Sequence, residues 1–262
     1  MSGGWQPYTN PADPSMEPTT IGALGPSALA HIMGGITEKQ RQGVGPGPVA
    51  DGHVPDEPGH PEYHHRRRAA WTLGRWATTT PPRYRRADAT LLPVQQWADA
   101  VAADPESAGS LLLTGTTGTG KTYEAYGALR RIAEAGPRTY EVIAITTADV
   151  YGRLRPKGSE RGTEEELRRL CRVPLLLLDD LGSAKAGEWT EEVTYRLINE
   201  RYNACRPSLC TSNLPARAPH DEHGRPTGPD LSTALGERIV SRLSEDTRIV
   251  AMTGADRRRA GG

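Results

Sequence analysis

The sequence predicts an α/β fold of the P-loop class, a parallel sheet covered by helices on both faces. Residues 115–122 read Gly-Thr-Thr-Gly-Thr-Gly-Lys-Thr, a complete phosphate-binding loop between the apolar run Leu111–Leu113 and a helical pattern from Tyr123 to Ala135. Strand-like runs at 110–114, 140–146, 173–179, 207–212 and 248–252 alternate with helical patterns at 122–135, around 163–171, 188–204 and 233–244. That alternation belongs to a parallel sheet. The stretch Val173–Leu178 is apolar almost without interruption, as a central strand buried on both faces must be.

Taken in order, residues 1–62 are dense in Gly, Pro, Asp and Ser and lack a periodic apolar pattern, which predicts a largely disordered arm. A short helix around Leu29, Ile32 and Met33 is the exception. Residues 63–86 then read as a basic, aromatic linker. Arg66, Arg67, Arg68, Arg75, Arg83, Arg85 and Arg86 occur between His64 and Arg86 with no acidic residue among them, interleaved with Trp71, Trp76 and Tyr84. Arginine with aromatics suits phosphate contact and base stacking. The globular domain is expected over 87–262. It opens with a helix at 91–103 carrying Trp97 and Val101 on one face, and the polar, proline-rich stretch 215–229 reads as a surface loop. The 49 residues that follow Asn213 predict a helix and a strand, and no helical lid domain is expected among them.

Composition narrows the function classes. The 32 basic residues balance the 32 acidic ones, so any nucleic-acid surface must be local. Three cysteines without metal-ligand spacing argue against a zinc site, and their odd number against a disulfide framework. No apolar run approaches the roughly 18–20 residues that span a bilayer, and the N-terminus lacks a signal peptide's apolar core. A cytoplasmic protein without membrane contact is expected.

The candidate site follows from two motifs. In the first, the backbone N–H groups of Gly115, Thr116, Thr117, Gly118, Thr119 and Gly120 can wrap phosphate oxygens, helped by the N-terminal dipole of the following helix. Lys121 adds a charge for the β- and γ-phosphates, and Thr122 a hydroxyl for Mg²⁺. In the second, the apolar strand ends in Asp179-Asp180. Asp179 is placed to hold Mg²⁺ and Asp180 to orient or deprotonate the attacking water. The next strand ends in Thr211-Ser212-Asn213, where a polar side chain could sense the γ-phosphate. Together these predict ATP and Mg²⁺ as ligands.

The run Leu175–Gly182, then INERYNACRP at 198–207, TSNLP at 211–215 and LGERIVSRL at 235–243, resembles the AAA+ ATPases of the DnaC/IstB group, bacterial helicase loaders and transposition helpers. Pro81–Arg85 matches the short lead-in motif of that group. The resemblance covers roughly Thr80 onward and leaves the arm out. It implies Lys121 and Thr122 as Walker A residues, Asp179 and Asp180 as Walker B, and Asn213 as the polar sensor. It also implies Arg242 as an arginine finger acting on a neighbour's nucleotide, with Arg238 one turn earlier in reserve, and hence a homo-oligomer with shared ATP sites. An arginine of the run Arg257–Arg259, with Arg259 the first choice, would contact nucleotide. Most AAA+ chains have Asp-Glu in the second motif, so Asp180 implies slow hydrolysis, stimulated by DNA or a partner.

In the loader branch of that group, the region after the second strand lines a DNA channel. Here that region holds Tyr151, Arg153, Arg155 and Lys157, one stacking ring and three phosphate contacts. The first functional reading is therefore a loader that binds single-stranded DNA and a replicative helicase. The alternatives are a transposition helper that binds duplex DNA and a transposase, and a nucleotide-gated interaction protein with little turnover.

Overall fold

A computed structural model describes residues 61–262 apart from 156–157, 161, 184–186, 220, 224, 255 and 257–262. Residues 1–60 of the expected arm, with its short helix, lie outside the described residues, as do Lys157 and Arg259. The elements run α1 (Pro61–Thr79), a 3₁₀ turn (Pro82–Tyr84), α2 (Leu92–Ala103), β1 (Ser110–Thr114), α3 (Lys121–Glu134) and β2 (Val142–Thr146). They continue with α4 (Thr147–Leu154), α5 (Thr163–Arg172), β3 (Leu175–Asp179), α6 (Glu188–Asn203), β4 (Ser208–Ser212), α7 (Leu231–Leu235), α8 (Glu237–Glu245) and β5 (Thr247–Ala251).

The five strands form one parallel sheet in the order β2-β3-β4-β1-β5. Its central strands β3, β4 and β1 are buried almost throughout, whereas the edge strands β2 and β5 are partly exposed. Alternate side chains serve opposite faces, as the period of two requires. Leu111, Leu113, Leu177 and Leu209 pack with Trp76 of α1, Trp97 of α2 and Leu129 of α3. Leu112, Leu176, Leu178 and Cys210 pack with Val150 of α4, Leu170 of α5, Leu197 of α6 and Leu243 of α8. Each fully buried leucine contributes about 2 kcal/mol, which explains why the leucine-rich runs take the middle of the sheet.

Two expectations are corrected. Residues 63–79 of the expected linker, with 61–62 of the expected arm, form not a linker but helix α1, laid along α3. Its contact face is Thr72, which donates to the Ala133 carbonyl, with Trp76, 5% exposed, and Arg68, whose Nε donates to the Gly136 carbonyl at 3.1 Å. That face mixes polar and apolar residues, so it gives no apolar periodicity. Trp71 stays outside, with the Arg75 guanidinium 5.0 Å from its ring centroid. The single helix expected at 233–244 is two helices, because Gly236 at φ 90° breaks the helical path between α7 and α8.

Among the described residues only α7, α8 and β5 follow β4, so no helical lid is present there. No described helix is long and apolar enough to cross a membrane.

Candidate nucleotide site

Topology assembles the site before any side chain does. Strand β4 lies between β1 and β3, with Thr114 beside Ser212 and Leu178 beside Cys210. The loop after β1, the carboxylates ending β3 and the polar end of β4 therefore meet at the carboxyl edge of the sheet, where open α/β sheets bind ligands. A cleft of about 540 Å³ opens there, lined by Thr117, Gly118, Gly120, Lys121, Thr122, Asp179, Asp180 and Asn213.

The loop takes the conformation its glycines permit, with Gly115, Gly118 and Gly120 all at positive φ. A Cβ at Gly118 would run into the Asp256 carboxyl group, so this position needs glycine for space as well as for backbone angle. Lys121 Nζ donates to the carbonyls of Gly115 at 2.7 Å and Thr116 at 2.9 Å, which keeps the ammonium against the loop. Thr119 Oγ1 donates to the Thr116 carbonyl at 2.9 Å and tightens the turn.

The two motifs touch directly. Thr122 Oγ1 donates to Asp179 Oδ1 at 3.0 Å, so the hydroxyl and the carboxylate expected to share a cation face one point. Burial pushes the Asp179 carboxyl above its usual range, while the hydroxyls of Thr211 and Thr122 pull it back. Asp180 follows at φ 58°, a left-handed conformation costly for a residue with a Cβ. Asn213 Nδ2 donates to Asp180 Oδ1 at 3.3 Å, and so the predicted sensor and the predicted water-orienting carboxylate are neighbours.

Several residues join this site to which the sequence motifs assign no part in nucleotide binding. Arg83 and Tyr84 of the lead-in motif line the cleft. Tyr84 stacks on Tyr126 of α3 with centroids 4.6 Å apart and planes 7° from parallel, and Arg83 lies 6.0 Å from the Tyr84 ring. Glu124, fully buried in the first turn of α3, accepts from the N–H groups of Thr90 at 2.7 Å and Leu91 at 2.6 Å and from the Thr90 hydroxyl at 3.0 Å. Tyr123 donates to the Arg86 carbonyl. The phosphate-loop helix thus grips residues 84–91 through three of its own side chains. A carboxylate on the apolar face of a helix was the legible signal for Glu124. Thr211, the other omission, donates to Asp179 Oδ1 at 2.6 Å.

The other predicted residues divide. Tyr151 is not an exposed stacking ring. It is 7% exposed, its hydroxyl shares a 2.6 Å hydrogen bond with Thr194, and its ring meets Trp189 edge-on at 6.0 Å. The register of α4 against α6 turns it inward. Arg153 and Arg155 are exposed, and Arg153 lies 3.4 Å from Glu166. Arg242 lies over Tyr202 at 5.0 Å and pairs with Glu245 at 3.2 Å, and Arg238 lies over Tyr195 at 5.3 Å. Neither arginine lines the cleft.

Residues 95–259 match the model of the IstB-like ATP binding protein family. The chain belongs to that family. It is an ATP-binding AAA+ protein of the DnaC/IstB type. It is 30% identical over 132 residues to the YdaV protein of Escherichia coli K12, covering 50% of this chain and 47% of that one. It is 31% identical over 107 residues to the ATP-binding protein of insertion sequence IS1162 of Pseudomonas fluorescens, covering 41% and 45%. The chain thus spans about half the length of the sequence relatives it matches. Among solved structures, the DnaC helicase loader superposes with a TM-score of 0.52 at 25% identity, over 68% of this chain and 99% of that one. The crystal structure of DnaI shares the fold, with a TM-score of 0.51 at 21% identity over 70% and 99%.

Proposed function

We propose that this family member hydrolyses ATP at the carboxyl edge of its sheet and couples the nucleotide state to DNA and a protein partner. The observation that carries the reading is the convergence of Lys121, Thr122, Asp179, Asp180 and Asn213 on one cleft. Phosphate oxygens are stronger acceptors than the carbonyls that Lys121 now contacts, so the same ammonium can turn to the β- and γ-phosphates. The hard oxygens of Thr122 and Asp179, facing one point, suit Mg²⁺, which when bound would neutralise phosphate charge. Asp180 orients the attacking water and takes up its proton, and Asn213 holds that carboxylate toward the γ-phosphate. Tyr84 and Arg83 border the cleft at the lead-in segment, where a flat ring and a guanidinium suit a nucleobase.

Because Arg242 and Arg238 stand away from their own cleft, an arginine finger would have to come from a neighbouring copy, with Arg242 the first candidate. An oligomer with shared sites follows from that reading.

Two partner readings each have an observation in their favour. Similarity to the DnaC loader over nearly the whole of that chain favours helicase loading on single-stranded DNA. The sequence relatives named for insertion sequences, from Pseudomonas fluorescens and Mycobacterium tuberculosis, favour a transposition helper on duplex DNA. The inward turn of Tyr151 removes the stacking ring that supported single strands, which moves the balance toward the helper. The test is anisotropy of labelled single- and double-stranded oligonucleotides titrated with protein in ATP, in ADP and without nucleotide. ATP-dependent preference for duplex supports the helper, and preference for single strands supports the loader. Absence of binding in every state sinks both.

A further inference from the structure

We propose that Thr211, the next-to-last residue of strand β4 and two before the sensor position, is the positioning residue that holds both Walker B aspartates in their working geometry. The inference rests on the ATPase reading above and assigns a role to a fully buried residue that does not line the cleft.

Thr211 is fully buried in the central strand β4, between β1 and β3. A hydroxyl so fully buried must be satisfied, and this one is satisfied twice. It donates to Asp179 Oδ1 at 2.6 Å and accepts from the Asp180 backbone N–H at 3.0 Å. The Thr211 carbonyl then accepts from the Leu181 N–H at 2.7 Å. One residue therefore holds three consecutive residues of the opposing motif.

Each bond has a consequence. The donation to Asp179 fixes its carboxylate so that Oδ1 also meets the Thr122 hydroxyl at 3.0 Å. The acceptance from Asp180 supports a backbone at φ 58°, and such strain persists only where the surroundings over-determine it. That conformation brings the Asp180 side chain within reach of Asn213. Valine has the shape of threonine without the hydroxyl. Thr211→Val would leave the Asp180 N–H without its partner and free the Asp179 carboxylate to rotate, while the phosphate loop stays intact. Serine keeps both bonds.

The test measures phosphate release and the affinity of a fluorescent ATP analogue for wild type, Thr211→Val, Thr211→Ser and Lys121→Ala, with and without duplex DNA. Loss of an orienting partner costs about 10–100-fold in activity. Thr211→Val should therefore lose that much kcat while its nucleotide affinity stays within about threefold of wild type, and Thr211→Ser should recover most of the rate. A Thr211→Val kcat within about threefold of wild type overturns the proposal, as does a loss that Thr211→Ser shares. If Thr211→Val does not fold by circular dichroism, Thr211→Cys, of similar volume and with a weak donor, replaces it and should show an intermediate loss; an unchanged rate again overturns the proposal. A wild-type rate no higher than that of Lys121→Ala defeats the ATPase reading itself, an outcome separate from any difference among the Thr211 variants.

Discussion

The two ends of the sheet handle buried polar groups in opposite ways. At the carboxyl end, Asp179 and Asp180 stand side by side, one desolvated and the other in a left-handed conformation, held by hydroxyls and an amide. At the amino end, Arg201 of α6 is 1% exposed, and its guanidinium is surrounded by acceptors. It donates to Ser208 Oγ at 2.8 Å and to the carbonyls of Leu170 at 3.0 Å, Val173 at 2.7 Å and Pro207 at 2.6 Å. Burial lowers its pKa to about 10, which leaves it charged at neutral pH. These acceptors lie at the end of α5 and at the starts of β3 and β4, so Arg201 straps the sheet together. Backbone strain beside a buried carboxylate at one end suits chemistry, and a buried guanidinium surrounded by acceptors at the other suits stability.

The sharpest way to break this comparison is Arg201→Met. It leaves several buried carbonyls without a donor and should cost about 3–5 kcal/mol, read as a melting temperature lower by about 10 °C. ATP affinity of the folded fraction should not change. Lys121→Ala should do the reverse, weakening ATP binding by about 100-fold with little effect on melting. Glu124→Gln tests the grip on the lead-in segment. It keeps the side-chain volume but replaces one acceptor oxygen with a donor facing N–H groups, and should cost about 1–3 kcal/mol and raise the KM for ATP several-fold. The smallest effect is expected at Asp230, the N-cap of α7. Its carboxylate accepts from the N–H groups of Ala218 at 3.0 Å and Thr233 at 2.8 Å, and these bonds hold its pKa well below the carboxylate range. A depressed carboxylate pKa contributes stability above pH ~4 that is lost as pH falls further. Asp230→Asn should therefore lower stability by about 1 kcal/mol at pH 7, and urea titrations should find the gap closing in acid.

The parts of this fold that are legible in sequence are those whose cause is local or periodic. Leu175–Leu178 reads as a central strand because burial on both faces demands an unbroken apolar run, and it is one. The phosphate loop reads from its glycines because its geometry is a backbone property. What stayed hidden depends on partners distant in sequence. Helix α1 escaped because Thr72 and Arg68 meet carbonyls at Ala133 and Gly136, and such a face has no apolar period. Tyr151 is expected at a DNA channel only through the resemblance to the loader branch, whereas its hydroxyl partner, Thr194, lies on another helix and is not signalled in the sequence. Thr211 looked like the approach to the sensor, and its bond to Asp179 exists only once β4 lies beside β3.

The central claim, that the carboxyl end of the sheet hydrolyses ATP through Asp180, is tested most directly by phosphate release from Mg-ATP in wild type and Asp180→Asn. Asparagine tolerates the left-handed backbone that position 180 adopts, so the substitution removes the charge without disturbing the chain. The expected result is a loss of turnover of about 100-fold or more with ATP affinity retained. Equal turnover in the two proteins would contradict the account and leave a nucleotide-gated binding protein in its place.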